Sequence, residues 1–324
     1  MKYIELTANY LSTIDWLGDT IIDWASGGTQ YTLDGQIKQS LPYHYGRFDR
    51  AIASADGVYS FIYKSLGTKG LLLKNGEIMR EINRPYYCAE VYEYPAAFIT
   101  VGSAAYLIHC PISYNQLDFE EVETGKLVTN IPGRKPADIF HSRLEISPDG
   151  TTLLCRSWGW HPVEFIEVFN IADCIKTPQA LDIYPVFFPD GAQICTASFI
   201  DNENILIGSS DELINEENIV MPQKSVAVWN LKTKEFSKPV KVTEEFGNLF
   251  AIDDNIAWDM FKYPKTIDIR TGEILDKVDY VNSGDQRSSI LGNLQYHYPQ
   301  IAFNRQTKSI AIAGKDKINI LLPD

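Results

Sequence analysis

No stretch of the 324-residue chain approaches the roughly 18 consecutive apolar residues that a membrane-crossing helix needs, so no membrane association is expected. Basic residues are scarce relative to acidic ones, 29 Lys and Arg against 42 Asp and Glu. The net charge of -13 argues against nucleic acid, whose phosphates require a basic footprint. The five cysteines, Cys88, Cys110, Cys155, Cys174 and Cys195, are widely spaced and form no CxxC, so they read as reduced packing residues. The five histidines never fall at metal-ligand spacing, and no metal or other cofactor is expected. GxSxG, HExxH, Walker and strand-borne GxGxxG motifs are absent, and Asp201-Asn202-Glu203-Asn204 lacks the glycine and distal glutamate of a calcium loop. Glu5 and Asp15 stand where a secretory leader would be apolar, which makes a cytoplasmic location the expectation.

What the chain has instead is short alternating segments broken by turns. The clearest run, Arg143 to Ile171, reads RLEIS, a Pro148-Asp149-Gly150 turn, TTLLCRS, a WGWHP loop and EFIEVFNI. Proline presets φ, aspartate can bond its own backbone and glycine accepts positive φ, so two strands fold back tightly and a third follows. A turn marker recurs as TLDGQI at Gly35, LKNGEI at Gly76, VETGKL at Gly125, NLKTKEF near Thr233 and IRTGEI at Gly272. This spacing matches units of about 40–50 residues, and the gap from Gly125 to Thr233 has room for two of them. The break at Ala172 to Ala180 explains the missing marker.

Seven units result, the third opening on CAEVYEY and carrying an insertion through Asn115, the fifth carrying the acidic insertion Asp211 to Glu217. The last unit, IAFNR, SIAIAG and KINILL, lacks an outer strand, while KYIELTA at the N-terminus has no unit of its own. Pairing the two closes a ring and removes exposed strand edges. The expected fold is all-β, a single seven-bladed β-propeller spanning residues 1–324. Ser147 to Gly150 (SPDG), Val228 to Leu231 (VWNL) and the Thr-Gly turns at Gly125 and Gly272 resemble the WD40-like seven-bladed propellers. That resemblance implies a protein-interaction scaffold first, in a family that also includes enzymes.

In such a ring the loops joining successive blades share a face with the loops between second and third strands. They contain Tyr43, His44, Tyr45 and Arg47; Arg84, Tyr86 and Tyr87; Arg134 and His141; Trp158, Trp160 and His161; Tyr263; and Arg287, Tyr296, His297 and Tyr298. Rings and arginines of this kind supply interface hot spots, whereas the opposite face has short polar turns. The competing reading packs the rings between blades and pairs each arginine with a nearby carboxylate. The expected function is a non-enzymatic scaffold binding a protein partner, a basic one if the acidic balance steers it, as an immunity-type protein would. The alternative is a propeller hydrolase or lyase with His44, His141, His161 and His297 lining a site at the channel mouth.

Overall fold

The computed structural model describes the chain apart from residues 40, 161–162, 184–189 and 293–297. Its strands form seven antiparallel sheets around a central channel, so the seven-bladed propeller read from the sequence is the fold. Blade 1 holds Asp15–Leu17, Thr20–Asp23, Thr29–Tyr31 and Ile37–Lys38, and blade 2 holds Arg50–Ala53, Tyr59–Tyr63, Lys69–Lys74 and Glu77–Asn83. Blade 5 runs from Ala192–Phe199 through Asn204–Leu213 and Ser225–Asn230 to Val240–Lys241. Blade 6 runs from Leu249–Ala251 through Ile256–Asp259 and Lys265–Asp268 to Ile274–Lys277.

Blade 7 contributes Ile301–Phe303, Ile310–Gly314 and Lys317–Leu322, and the N-terminal strand Lys2–Thr7 completes it in register from Lys2 opposite Leu322 to Thr7 opposite Lys317. The Met1 ammonium fixes the join, 2.7 Å from Asp276 and 2.8 Å from Asp324. The core is distributed as apolar layers between neighbouring blades. Leu6, Ile14, Ile21, Ile318 and Ile320 form the layer at the closure, so the first strand buries side chains as well as satisfying an edge.

Among the described residues, two blades have no outer strand. Blade 3 has Ala97–Val101, Ala104–His109 and Asp118–Glu121, with only a single bridge from Glu120 to Leu127 beyond them. In blade 4 the inner position is split into Ile139–Phe140 and Glu145–Ile146, followed by Thr152–Gly159 and Val163–Asn170. Its outer side carries a helix, Ile171–Lys176, whose first turn is capped by Asn170 accepting from the Asp173 amide at 3.0 Å. Ile171, Cys174 and Leu181 pack against Phe119, Leu153 and Phe169, filling the wedge between blades 3 and 4. This explains the missing marker after Ile171.

The CAEVYEY segment departs from expectation: it is no inner strand but a looped connection. Arg84 is the cause. Its buried guanidinium collects the carbonyls of Gly67 at 2.7 Å, Ala89 at 2.6 Å and Tyr92 at 2.9 Å, turning the backbone of this segment inward instead of toward a neighbouring strand. Four of the five free thiols are buried, and Cys88 is partly so.

Closure by the first strand makes a direct prediction. Leu6→Ala, which empties a 5% exposed site at the seam, is expected to cost about 2–4 kcal/mol in urea unfolding, while Ile37→Ala, at 56% exposure, changes stability by less than about 0.5 kcal/mol.

Candidate functional site

The connection between blades 6 and 7 is the longest in the ring, and part of it crosses the channel as a strap on the loop-rich face. Ser283 and Lys262 exchange backbone contacts at its start, with Lys262 donating to Gly284 at 2.6 Å. Asn248 of blade 6 donates to the Gln286 side chain at 2.6 Å, and Gln286 donates to Glu93 beyond blade 2 at 3.3 Å. The Ser289 hydroxyl donates to the Arg156 carbonyl at 2.8 Å and accepts Arg143 at 2.7 Å. Ile290 then bridges Tyr92, and the Leu291 amide reaches Val91. The strap passes so close to Gly247 that a Cβ there would lie 2.1 Å from the Gln286 carbonyl, so only glycine fits.

The strap divides the interior. On its channel side lies a cavity of about 1070 Å³ that continues to the turn face, and on the loop side a pocket of about 200 Å³ opens between blades 4, 5 and 6. Glu164, at the start of the third strand of blade 4, forms the floor of the small pocket and is 4% exposed. It accepts the Ser289 amide at 2.5 Å. Burial pushes its carboxyl up to about 7, against the Arg143 charge and the donors of residues 288–290 that favour ionisation.

The pocket wall is polar. Gln193 accepts the Glu164 amide at 3.0 Å and donates to Glu212 at 2.7 Å, linking the two acids. Glu245 gathers the cations, with Arg287 at 2.9 Å and Lys224 at 3.9 Å. A carboxyl that exchanges its proton near neutrality, facing two cations across a small cleft, can serve in acid–base chemistry. Asp15, on the channel wall, is likewise raised by burial to about 7, with its Oδ1 accepting the Trp16 amide at 2.8 Å.

Most residues singled out from sequence occupy the loop face in other ways. Tyr43 and Tyr45 pack with ring centroids 4.7 Å apart, His44 pairs with Ser26 at 3.0 Å, and Arg47 is exposed. Arg84 is spent on carbonyls beneath the Tyr92 and Tyr94 rings. Arg134 pairs with Asp182 at 2.7 Å and Asp118 at 3.2 Å. Trp158 is buried with its ring stacked 3.9 Å from Phe140, Trp160 and Tyr87 are open to solvent at the edge of that cluster, and Tyr86 is exposed. Tyr263 donates to Glu244 at 2.8 Å, and Tyr298 is half-buried. Of the described members of the set, only Arg287 lines the pocket. His161, Tyr296 and His297 lie outside the described residues.

The imidazoles do not form the expected ring at the channel mouth among the described residues. His44 sits on the blade 1 to blade 2 loop, and His141 is buried within blade 4. His141 donates to Glu167 at 2.9 Å and to the Asn115 carbonyl at 3.2 Å, which is the arrangement of an imidazolium. Burial opposes that charge, but Glu167 and Cys155 raise its pKa well above the usual histidine range. His141, Cys155 and Glu167 are the one group of metal-ligating type among the described residues. Ser157 already sits between Cys155, at 3.0 Å, and Glu167, so the donors are joined by hydrogen bonds as a clip across the strands.

Glu164 and Gln193 escaped the sequence reading, while Glu212 was noted only within the acidic insertion and the strap only through its loop residues such as Arg287. The available signals were two acids, Glu164 and Glu167, in an otherwise apolar strand, EFIEVF, and a blade connection well beyond the usual hairpin length.

No protein-family model and no curated protein sequence matches the chain. Solved structures do. A streptogramin B lyase superposes with a TM-score of 0.54 at 11% identity, covering 99% of this chain and 98% of that one. The virginiamycin B lyase from Staphylococcus aureus, as its selenomethionine derivative, gives 0.55 at 14%, covering 100% and 99%. At these identities the likeness establishes the fold. These two full-length matches, both lyases, correct the expectation of a non-enzymatic protein-binding scaffold.

Asp15 and Glu164, the carboxyls raised to about 7, set a pH dependence. Each holds its proton more tightly folded than unfolded, so the contribution of these two groups to stability is fully present below about pH 4 and is lost as the pH rises through 7. Urea unfolding between pH 5 and 8 is expected to show this decline, and Glu164→Gln to remove its share, on the order of 3 kcal/mol over the full transition.

Proposed function

We propose that the protein is a lyase-type enzyme acting on a small molecule in the pocket at the strap, with Glu164 as its acid–base group. The observation that carries this reading is a carboxyl raised to about 7 by burial, positioned by fixed backbone donors on a pocket wall. The full-length likeness to two lyases supports the reaction class. In an elimination, a base removes a proton next to a carbonyl and the leaving group departs as a double bond forms, without water entering. Ionised Glu164 supplies that base, and Arg287 and Lys224 supply positive charge for the anion that develops. The finer kinship with WD40-like propellers, supported by Ser147 to Gly150 and Val228 to Leu231, stays our reading of blade ancestry.

The neighbours' names make streptogramin B the first substrate to try. Mass spectrometry separates the chemistries, because elimination conserves total mass and hydrolysis adds one water. The wild-type chain is expected to convert the substrate with mass conserved and a rate that rises with an apparent pKa near 7. Glu164→Gln is expected to lower kcat by about 10²–10⁴ with the fold intact. A product one water heavier assigns a hydrolase, and full activity in Glu164→Gln removes this residue from the mechanism.

A further inference from the structure

The strap leaves the larger cavity with a character of its own. Its middle is lined by one large apolar side chain from each of six blades, Trp16, Ile52, Phe98, Ile146, Phe250 and Phe303. At about 1070 Å³ it matches the largest small-molecule sites, which reach about 1,000 Å³, and is no packed hub. The end under the strap is closed by Arg143, Asn248 and Gln286, whose polar groups are engaged with one another and with Ser289.

The other end carries positive charge. Arg305, from blade 7, reaches across the channel to donate to the Ile146 carbonyl of blade 4. Its nearest carboxylate, Glu145 at 3.9 Å, is already paired with Arg156 and accepts the Phe199 amide at 3.2 Å. Beside it, the Lys308 ammonium has no carboxylate within 4 Å among the described residues and lies 5.8 Å from the Phe303 ring centroid. The acids on the same rim are tied into their own turns. Asp149 accepts Ser147 at 2.6 Å and the Thr151 amide at 3.1 Å, and Asp201 accepts the amides of Glu203 at 2.7 Å and Asn204 at 2.8 Å. The lining is therefore apolar in the middle, and its turn-face mouth sets the cations Arg305 and Lys308 among the turn-bound carboxylates Asp149 and Asp201, in a chain whose net charge is -13.

We infer that the channel is a second ligand site, distinct from the pocket at Glu164, that takes a small amphipathic anion from the turn face. Its apolar body lies on the belt, where it releases water from apolar surface, and its anionic head meets Lys308 beside Arg305. Nothing in this inference depends on the lyase reading, because the two cavities lie on opposite sides of the strap.

The probe is 1-anilinonaphthalene-8-sulfonate, read by fluorescence on natively folded protein. Saturable binding at one probe per chain is expected, and Ile52→Trp, which fills the belt, is expected to abolish it. Lys308→Asn is the variant chosen to keep the fold, since Lys308 has φ of 58°, a region asparagine accepts readily. It is expected to weaken binding about tenfold, while the uncharged N-phenyl-1-naphthylamine binds more weakly than the sulfonate and is indifferent to the substitution. Glu164→Gln, folded and assayed alongside, is expected to bind the sulfonate as wild type does. Absence of saturable binding, or binding unchanged by Lys308→Asn, overturns the site.

Discussion

The hub of this propeller is held by buried guanidinium groups, and both cavities take their shape from them. Arg156 and Glu145 form an ion pair with each residue under a tenth exposed, and Arg156 also binds the Ala197 carbonyl at 2.6 Å. Arg143, one turn of the network further, joins the Cys195 carbonyl of blade 5 at 2.8 Å to Asn248 of blade 6 and Ser289 of the strap. Charges taken out of water are tolerated only when paired and fully hydrogen-bonded, and losing one partner of such a pair costs about 3–5 kcal/mol. The strap therefore lies across the channel because a charge beneath it requires its serine hydroxyl.

That constraint has an electrostatic consequence at the pocket. Arg143 is close enough to favour ionised Glu164, yet desolvation of the carboxyl outweighs it and the proton is held to about 7. Structural need and chemical capacity thus come from one arrangement: the donors of residues 288–290 that anchor the strap also orient the carboxyl. The same arginine chemistry removes other candidates from service. Arg84 and Arg134 satisfy backbone carbonyls and buried acids inside the loop face, so a loop rich in arginine is here a scaffold for its own turns.

The aromatic residues divide similarly. Phe140, Trp158 and Tyr92 are buried together beside Ile290 of the strap, extending the interblade core onto the loop face. Trp160 and Tyr87 are the exposed edge of that same cluster, with ring centroids 6.1 Å apart. The expected WGWHP loop did not distinguish a buried ring from an open one, because Trp158 falls inside the strand Thr152–Gly159 while Trp160, just beyond it, reaches the same cluster from the solvent side.

Alternation and turn chemistry determined the ring. Period-two apolar patterning, the turns at Gly35, Gly76, Gly125 and Gly272, and an orphan first strand left seven closed blades as the consistent arrangement, since those signals are local and a strand edge must be paired. Where a local pattern was overruled, at the CAEVYEY segment, a buried arginine from outside the segment was the reason. The site belonged to tertiary structure alone. Glu164 and Ser289 are 125 residues apart, Arg143 and Asn248 are 105 apart, and neither alternation nor motif carries information across such separations. Proton affinity followed from burial, and burial was decided only when the strap crossed the channel.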